Sequence, residues 1–111
     1  MKRFDIIQII QNGGATLGAD GKAVDFRRGY QVSKKDCYIL DARHVNKILR
    51  AVNEILNGLQ PGEYCGIWID GGRAYVDISE RIARKRDALK LGRALGQISI
   101  FDWNSKSCIY C

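Results

Sequence analysis

An α+β fold, with helices and antiparallel hairpins in one small domain, is predicted by three observations. Turn pairs at Asp20-Gly21 and Gly71-Gly72 are each flanked by alternating apolar residues, the period of a half-buried strand. From Val45 to Leu56 the apolar residues recur instead at i, i+3, i+4 and i+7, the period of a helix packed on one side. The chain of 111 residues can fill one core but not two, so these elements share a single domain, 1–111. The expected order is α-βββ-α-ββ-α-ββ, with a helix and β-meander over 1–40, a central helix over 41–60, and a hairpin-helix-hairpin over 62–111.

The first helix is read from Phe4 to Gln11, where either Phe4, Ile7 and Gln11 or Ile6, Ile9 and Ile10 fall at helical spacing and Asn12-Gly13-Gly14 supplies the stop. Ala15 to Phe26 then forms a hairpin. A two-residue turn at Asp20-Gly21 sets Leu17 opposite Val24 and Ala15 opposite Phe26. A third strand, Gly29 to Ser33, continues the meander after an Arg27-Arg28 turn. Asp41 is placed to cap a helix over Ala42–Asn57, whose stripe is Val45, Ile48, Leu49, Val52, Ile55 and Leu56, and Gly58 and Pro61 close it.

The hairpin from Tyr64 to Ser79 is specified residue by residue. With Gly71-Gly72 at the turn, Asp70 pairs with Arg73, Ile69 with Ala74, Trp68 with Tyr75 and Ile67 with Val76. Cys65, Ile67, Ile69, Ala74, Val76 and Ile78 then face the core, while Trp68 and Tyr75 share the other face with a charge pair beside them; a slip of one residue would mix the two sets. That aromatic face is either covered by a helix or open as a stacking platform or interface anchor. A helix over Lys85–Leu95 follows, with Ala88, Leu91 and Leu95 toward the sheet, Leu89 and Gly92 as further candidates for that face, and Gly96 ending it. In the strand Gln97–Trp103, Ile98 and Ile100 alternate with Ser99, Phe101 and Trp103, and an Asn104-Ser105-Lys106 turn leads to a short last strand.

Composition excludes several classes. Apolar residues make up 46% and charged residues 27%, with one Pro, which argues against disorder. No segment is long enough to span a bilayer, and the opening MKRFDIIQIIQNGG is interrupted by Asp5, Gln8 and Gln11 and lacks a cleavage site, so it does not read as a signal peptide. The expected compartment is the cytoplasm, with four reduced cysteines.

Net charge is +6 and unevenly spread. Between residues 81 and 93, Arg81, Arg84, Lys85, Arg86, Lys90 and Arg93 face a single Asp87, so five of the six net charges lie in 13 residues. Such a patch attracts phosphate backbones or an acidic protein face; the bland alternative is a solvated helix face that aids solubility. Arg43, Lys47 and Arg50 lie near one another on the central helix and could extend it.

Motifs for chemistry are weak. The glycine-rich run Gly13–Gly18 follows a helix and opens a strand, the reverse of a phosphate-binding strand-to-helix turn. The run from Gly72 to Ile78 echoes the aromatic strand of RNA-recognition modules, but its second aromatic is missing. Cys108 and Cys111 have metal-ligand spacing, with Cys37, Cys65 and His44 as possible companions, yet on a strand the two thiols point to opposite faces, so no metal site is expected. No base is placed to activate Ser79, and His44 reads as a surface residue. The chain is therefore expected to be a binding protein without cofactor or catalytic residues.

The segments GGATLGADGKAVDFRRGYQVSKKD, GIWIDGGRAYVDISERI and ALKLGRALGQISIFDW, which together span most of the chain, resemble small uncharacterised accessory proteins carried by phages, prophages and integrative elements of bacteria. The resemblance implies a non-enzymatic role in binding a host protein or ribonucleoprotein, including anti-CRISPR-type inhibition. It transfers no site residues. One departure is charge, since many such inhibitors are acidic mimics of DNA and this chain is basic. From the residues themselves, Arg81, Arg84, Lys85, Arg86, Lys90 and Arg93 supply electrostatic contacts, with Trp68, Arg73 and Tyr75 as anchors. The same cations could instead neutralise nucleic-acid phosphates while Trp68 or Tyr75 stacks on bases.

Overall fold

The structure is a computed structural model that describes residues 1–111, with every side chain except that of Asp36. Its order is α1 (Arg3–Asn12), β1 (Gly14–Leu17), β2 (Tyr30–Asp41), α2 (Val45–Gly58), β3 (Glu63–Asp70), β4 (Arg73–Ile82), α3 (Lys85–Ala94), β5 (Ser99–Asp102) and β6 (Ser107–Tyr110). The expected α+β class is what forms. All strands join one antiparallel sheet in the order β1-β3-β4-β2-β5-β6. No helix is long and apolar enough to cross a membrane among the described residues.

The sheet is tightly curled. Thr16 on β1 and Gln31 on β2 are three strands apart in that order, yet their side chains meet at 3.0 Å. Trp68 on β3 and Phe101 on β5 are also three strands apart, with ring centroids 5.3 Å apart. A flat sheet would hold either pair about 14 Å apart at the usual strand spacing. Only a trough whose walls fold toward each other brings these side chains together.

Residue alternation gives the trough two unlike faces. Outward-pointing Leu17, Cys65, Ile67, Ala74 and Val76 form a dry core with Ile6 of α1 and Ile48, Val52 and Ile55 of α2. A smaller cluster of Val32, Ala88 and Ile100 seats α3 on the same convex face. Gly92 permits that approach, because a Cβ there would lie 2.8 Å from the Cys111 thiol and 3.0 Å from Ile100. The other set of alternating side chains turns into the trough.

The β3-β4 register is the expected one, with Asp70 opposite Arg73 and Trp68 opposite Tyr75. Elsewhere local interactions redraw the expected boundaries. Asp41 does not cap α2. It stays in the ladder opposite Arg73, its carboxylate accepts bonds from the backbone N–H and guanidinium of Arg43, and the helix starts after His44. The first hairpin closes one residue early, with Leu17 bridged to Ala23, because Asp20 accepts a bond from the Lys22 N–H and Gly18 pairs with Lys22 in a wider loop. Its return arm shrinks to that bridge, and Phe26 is delivered to the concave face instead of the core. Strand β2 runs well past Ser33, because β4 continues to pair with it as far as Asp41, with bulges between Ser33 and Lys35 and before Tyr38. Leu95 and Ile98 do not face the sheet. They lie in the connection beyond α3 and are 41% and 79% exposed.

Candidate functional site: a cationic corner and an aromatic trough

The β2-β4 ladder creates the cationic corner. Tyr30 pairs with Ile82 and Gln31 with Arg81, so the chain just before β2 and the chain just after β4 leave the sheet at the same end. Arg27 and Arg28 are thereby carried to the end where Arg84, Lys85 and Arg86 begin α3. The contact is direct at Arg81, whose Nε–H donates to the Arg28 carbonyl at 3.1 Å and whose guanidinium lies 5.6 Å from the Phe26 ring centre. Gly29 is required beside it: its φ is +89°, and a Cβ would sit 2.8 Å from the Arg81 guanidinium.

Arg81 is therefore a bracket that ties the two runs together, although the sequence placed it among the contact residues. Arg84, Lys85 and Arg86 are exposed, as is Lys90 one turn further along α3. Arg93 is exposed but directs its Nε–H to the Cys111 carbonyl at 3.1 Å. The start of α3 is electrostatically unusual, because three cations stand where the helix macrodipole is itself positive. Asp87 in the first turn is the one acidic residue there. The arrangement opposes helix stability and concentrates positive potential at the corner. Arg43, in the turn before α2, is not a comparable free cation, since its guanidinium grips Asp41 at 2.7 Å. That bond, followed by the Arg43 backbone N–H, holds the Asp41 carboxyl well below the usual carboxylate range.

The trough contains a chain of five rings. Tyr64 and Phe26 lie 4.9 Å apart, Phe26 and Trp103 5.6 Å, Trp103 and Phe101 5.0 Å, and Phe101 and Trp68 5.3 Å, mostly edge to face. One end of the trough is sealed by a buried polar network. Thr16 Oγ1 and Trp103 Nε1 both donate to Gln31 Oε1 at 3.0 Å, and Gln31 Nε2 donates to Ser79 Oγ at 2.6 Å. Two donors converging on one oxygen fix the orientation of the Gln31 amide. All four residues are less than 10% exposed.

Beyond this network lies an open cleft of about 440 Å³, walled by Trp68, Tyr75 and Phe101, with Asp70, Asp77 and Cys108 also lining it and the network's own Gln31 and Ser79 at its inner margin. Trp68 and Tyr75 are half-buried, and what lies across Trp68 is Phe101 rather than a helix. Gly66 opposite Asp77 is required, because a Cβ there would overlap the Asp77 carboxylate. Arg73 is exposed at the hairpin tip, outside the cleft, and no ion pair joins it to Asp70 among the described residues. The corner and the open cleft are therefore two places. The cations and the Trp68/Tyr75 anchors named from sequence do not form one continuous site.

The other candidates separate. Cys108 borders the cleft, while the Cys111 thiol packs against Gly92 on the convex side. Cys65 lies in the core with its thiol pushed up to about 12 by burial, then by the charges of Asp77 and Cys37, so it is not a reactive thiolate. His44 stands at the start of α2, and the Ser79 hydroxyl is engaged by Gln31. No three His, Cys, Asp or Glu side chains are grouped to hold a metal among the described residues.

Sequence reasoning missed Arg27 and Arg28 as partners of the α3 cations, and Phe26, Gln31 and Trp103 as trough residues. Only the β2-β4 register and the curl reveal them. No family model matches the chain, and neither a curated protein nor a solved structure shows significant similarity to it.

Proposed function

We propose that the chain is a non-enzymatic accessory protein that binds a host protein or ribonucleoprotein through the cationic corner. The observation that carries this reading is the pairing of Tyr30 with Ile82, which adds Arg27 and Arg28 to the exposed Arg84, Lys85 and Arg86 at one end of the sheet. A corner of this kind steers an anionic surface into contact and sets the register of docking. An anti-CRISPR-type inhibitor that occludes an effector surface is the specific form implied by the resemblance to mobile-element proteins. Direct nucleic-acid binding is the second reading, favoured by the three cations at the start of α3, where macrodipole and side chains act on phosphate together.

Fluorescence anisotropy with single-stranded DNA, duplex DNA and RNA separates the two, using the Arg84→Glu/Lys85→Glu/Arg86→Glu triple variant as control. Direct binding gives tight association that falls steeply with salt, because each neutralised phosphate releases counterions, and the triple variant loses it. The accessory-protein reading expects only weak binding to free nucleic acid at physiological salt, with a ribonucleoprotein captured from host lysate by the wild type and not by the variant. Capture unchanged by charge reversal would reject the corner as the site.

A further inference from the structure

The open cleft has the opposite charge to the molecule around it. Its charged lining residues are Asp70 and Asp77, and it contains no Lys, Arg or His, in a chain of net charge +6. Around these carboxylates stand the rings of Trp68, Tyr75 and Phe101. Carboxylates set among aromatic faces favour a cation with an apolar body, because the ring quadrupoles and the carboxylates attract the same sign of charge.

The sealed part of the trough already uses this chemistry internally. There the Arg81 guanidinium lies 5.6 Å from the Phe26 centroid and the Lys106 ammonium 5.7 Å from the Trp103 centroid. Over Trp68 and Tyr75, no cation of the chain takes the equivalent position among the described residues. The ring chain thus carries cations supplied by the protein at its sealed end and opens into an acidic aromatic cleft at the other.

We propose that this cleft binds an organic cation, an alkylammonium or guanidinium group, held against the faces of Trp68 and Tyr75 with its charge toward the exposed Asp70, the largely buried Asp77 adding negative potential behind the rings. A phosphate-bearing ligand suits the cleft poorly, since the same carboxylates repel it. A hard metal ion also fits poorly, because it needs more oxygen ligands than two carboxylates on aromatic walls supply. The cleft volume of about 440 Å³ suits a group of amino-acid side-chain size rather than a folded domain. The proposal is independent of the reading of the cationic corner and stands if that reading fails.

The shared chemistry has two sources, a small free amine or the Lys or Arg side chain of a peptide. Both are tested by heteronuclear NMR on the full chain, following the two indole N–H resonances. Trp68 borders the cleft directly, whereas Trp103 does not line it and reaches it only through the bond from its N–H to Gln31. Benzyltrimethylammonium should shift the Trp68 signal saturably with a dissociation constant of about 1 mM and shift Trp103 less. Benzyl alcohol, which has the ring without the charge, should not. Asp70→Asn, at an exposed position where folding is not at risk, should weaken binding about three- to fivefold.

Acetyl-Gly-Arg-Gly-amide and acetyl-Gly-trimethyllysine-Gly-amide then identify the source. Binding about tenfold tighter than the free cation assigns the cleft to a partner's side chain, and equal or weaker binding assigns it to a small amine. The proposal is overturned if the Trp68 signal stays fixed with all these cations up to about 50 mM, or if benzyl alcohol shifts it equally.

Discussion

The corner and the cleft are built in different ways. At the corner, position comes from backbone pairing: Tyr30 opposite Ile82 and the Arg81 bond to the Arg28 carbonyl bring two basic runs together, while most of the basic side chains point into water. In the trough, position comes from side chains, with a ring chain, a glutamine shared by two donors, and a glycine that leaves room for Asp77. Net charge describes neither region, since the cationic corner and the acidic cleft lie on one small sheet. Altering the corner should change binding and leave folding intact, whereas altering the trough or the core behind it should change both.

The largest expected effect on stability tests that division from the convex side. Ile67 is fully buried between α1, α2 and the sheet, and its neighbour Trp68 points the other way into the cleft. Ile67→Ala should cost about 2–5 kcal/mol in chemical denaturation through lost burial and a residual cavity. The variant should keep whatever affinity the corner has while it remains folded. A loss of corner binding in fully folded Ile67→Ala protein would show that the two regions are coupled.

A smaller effect is expected within the trough. Gln31→Leu removes the acceptor shared by the Thr16 hydroxyl and the Trp103 indole, leaving two buried donors unsatisfied, and should cost about 1–3 kcal/mol. Trp103 should become more accessible to acrylamide at the same time. An unchanged denaturation midpoint and unchanged quenching would mean that the network does not seal that end.

The smallest effect concerns pH and acts at ion pairs on the margins of the two regions. The carboxyls of Asp41, Asp25 and Glu63 are all held below their ordinary values, by the Arg43 side chain, the Lys106 ammonium and the Gln60 N–H respectively. A lowered native value means that their stabilising contribution is complete at neutral pH, begins to fall near pH 4 where the unfolded carboxyls protonate, and is lost as pH drops through the folded values. The Tyr38 hydroxyl, which donates to Glu54 at 2.7 Å, has its value raised by that bond, so its contribution is intact below about pH 10 and is lost as pH rises through the folded value. Melting temperature should form a plateau between these limits. Asp41→Asn should flatten the acid side and leave the alkaline side as it was.

How much of this was legible in the sequence follows from the range of the interactions involved. The register of the β3-β4 hairpin could be read, because the Gly71-Gly72 turn and strict alternation are local and fix it, but not its length, since β4 runs past Ser79 to Ile82 by pairing with the start of β2. The helical stripe of α2 was equally plain, but its first residue was not, because Asp41 is held in the sheet by Arg73, far along the chain. The extension of β2 through its charged Lys34-Lys35 stretch was hidden for the same reason: pairing with β4 overrides a polar local composition. Candidate cations on α3 were visible as a charge run, whereas the contribution of Arg27 and Arg28 depends on a strand pairing more than 50 residues distant, as the Arg81 bond shows. The trough was only half visible. The Trp68/Tyr75 pair follows from the hairpin, but Phe101 reaches it only because the sheet curls, and nothing in local sequence encodes that curl.

The joining of the two basic runs into one binding site is read from the salt-dependent affinity of an Arg27→Glu/Arg28→Glu variant for the partner bound by the wild type. If the corner is a single surface, this variant, which leaves α3 untouched, should bind at least about tenfold more weakly and show a salt slope shallower by roughly 1–2, with an unchanged melting temperature. Wild-type affinity and slope would contradict the account and leave the α3 cations to act alone.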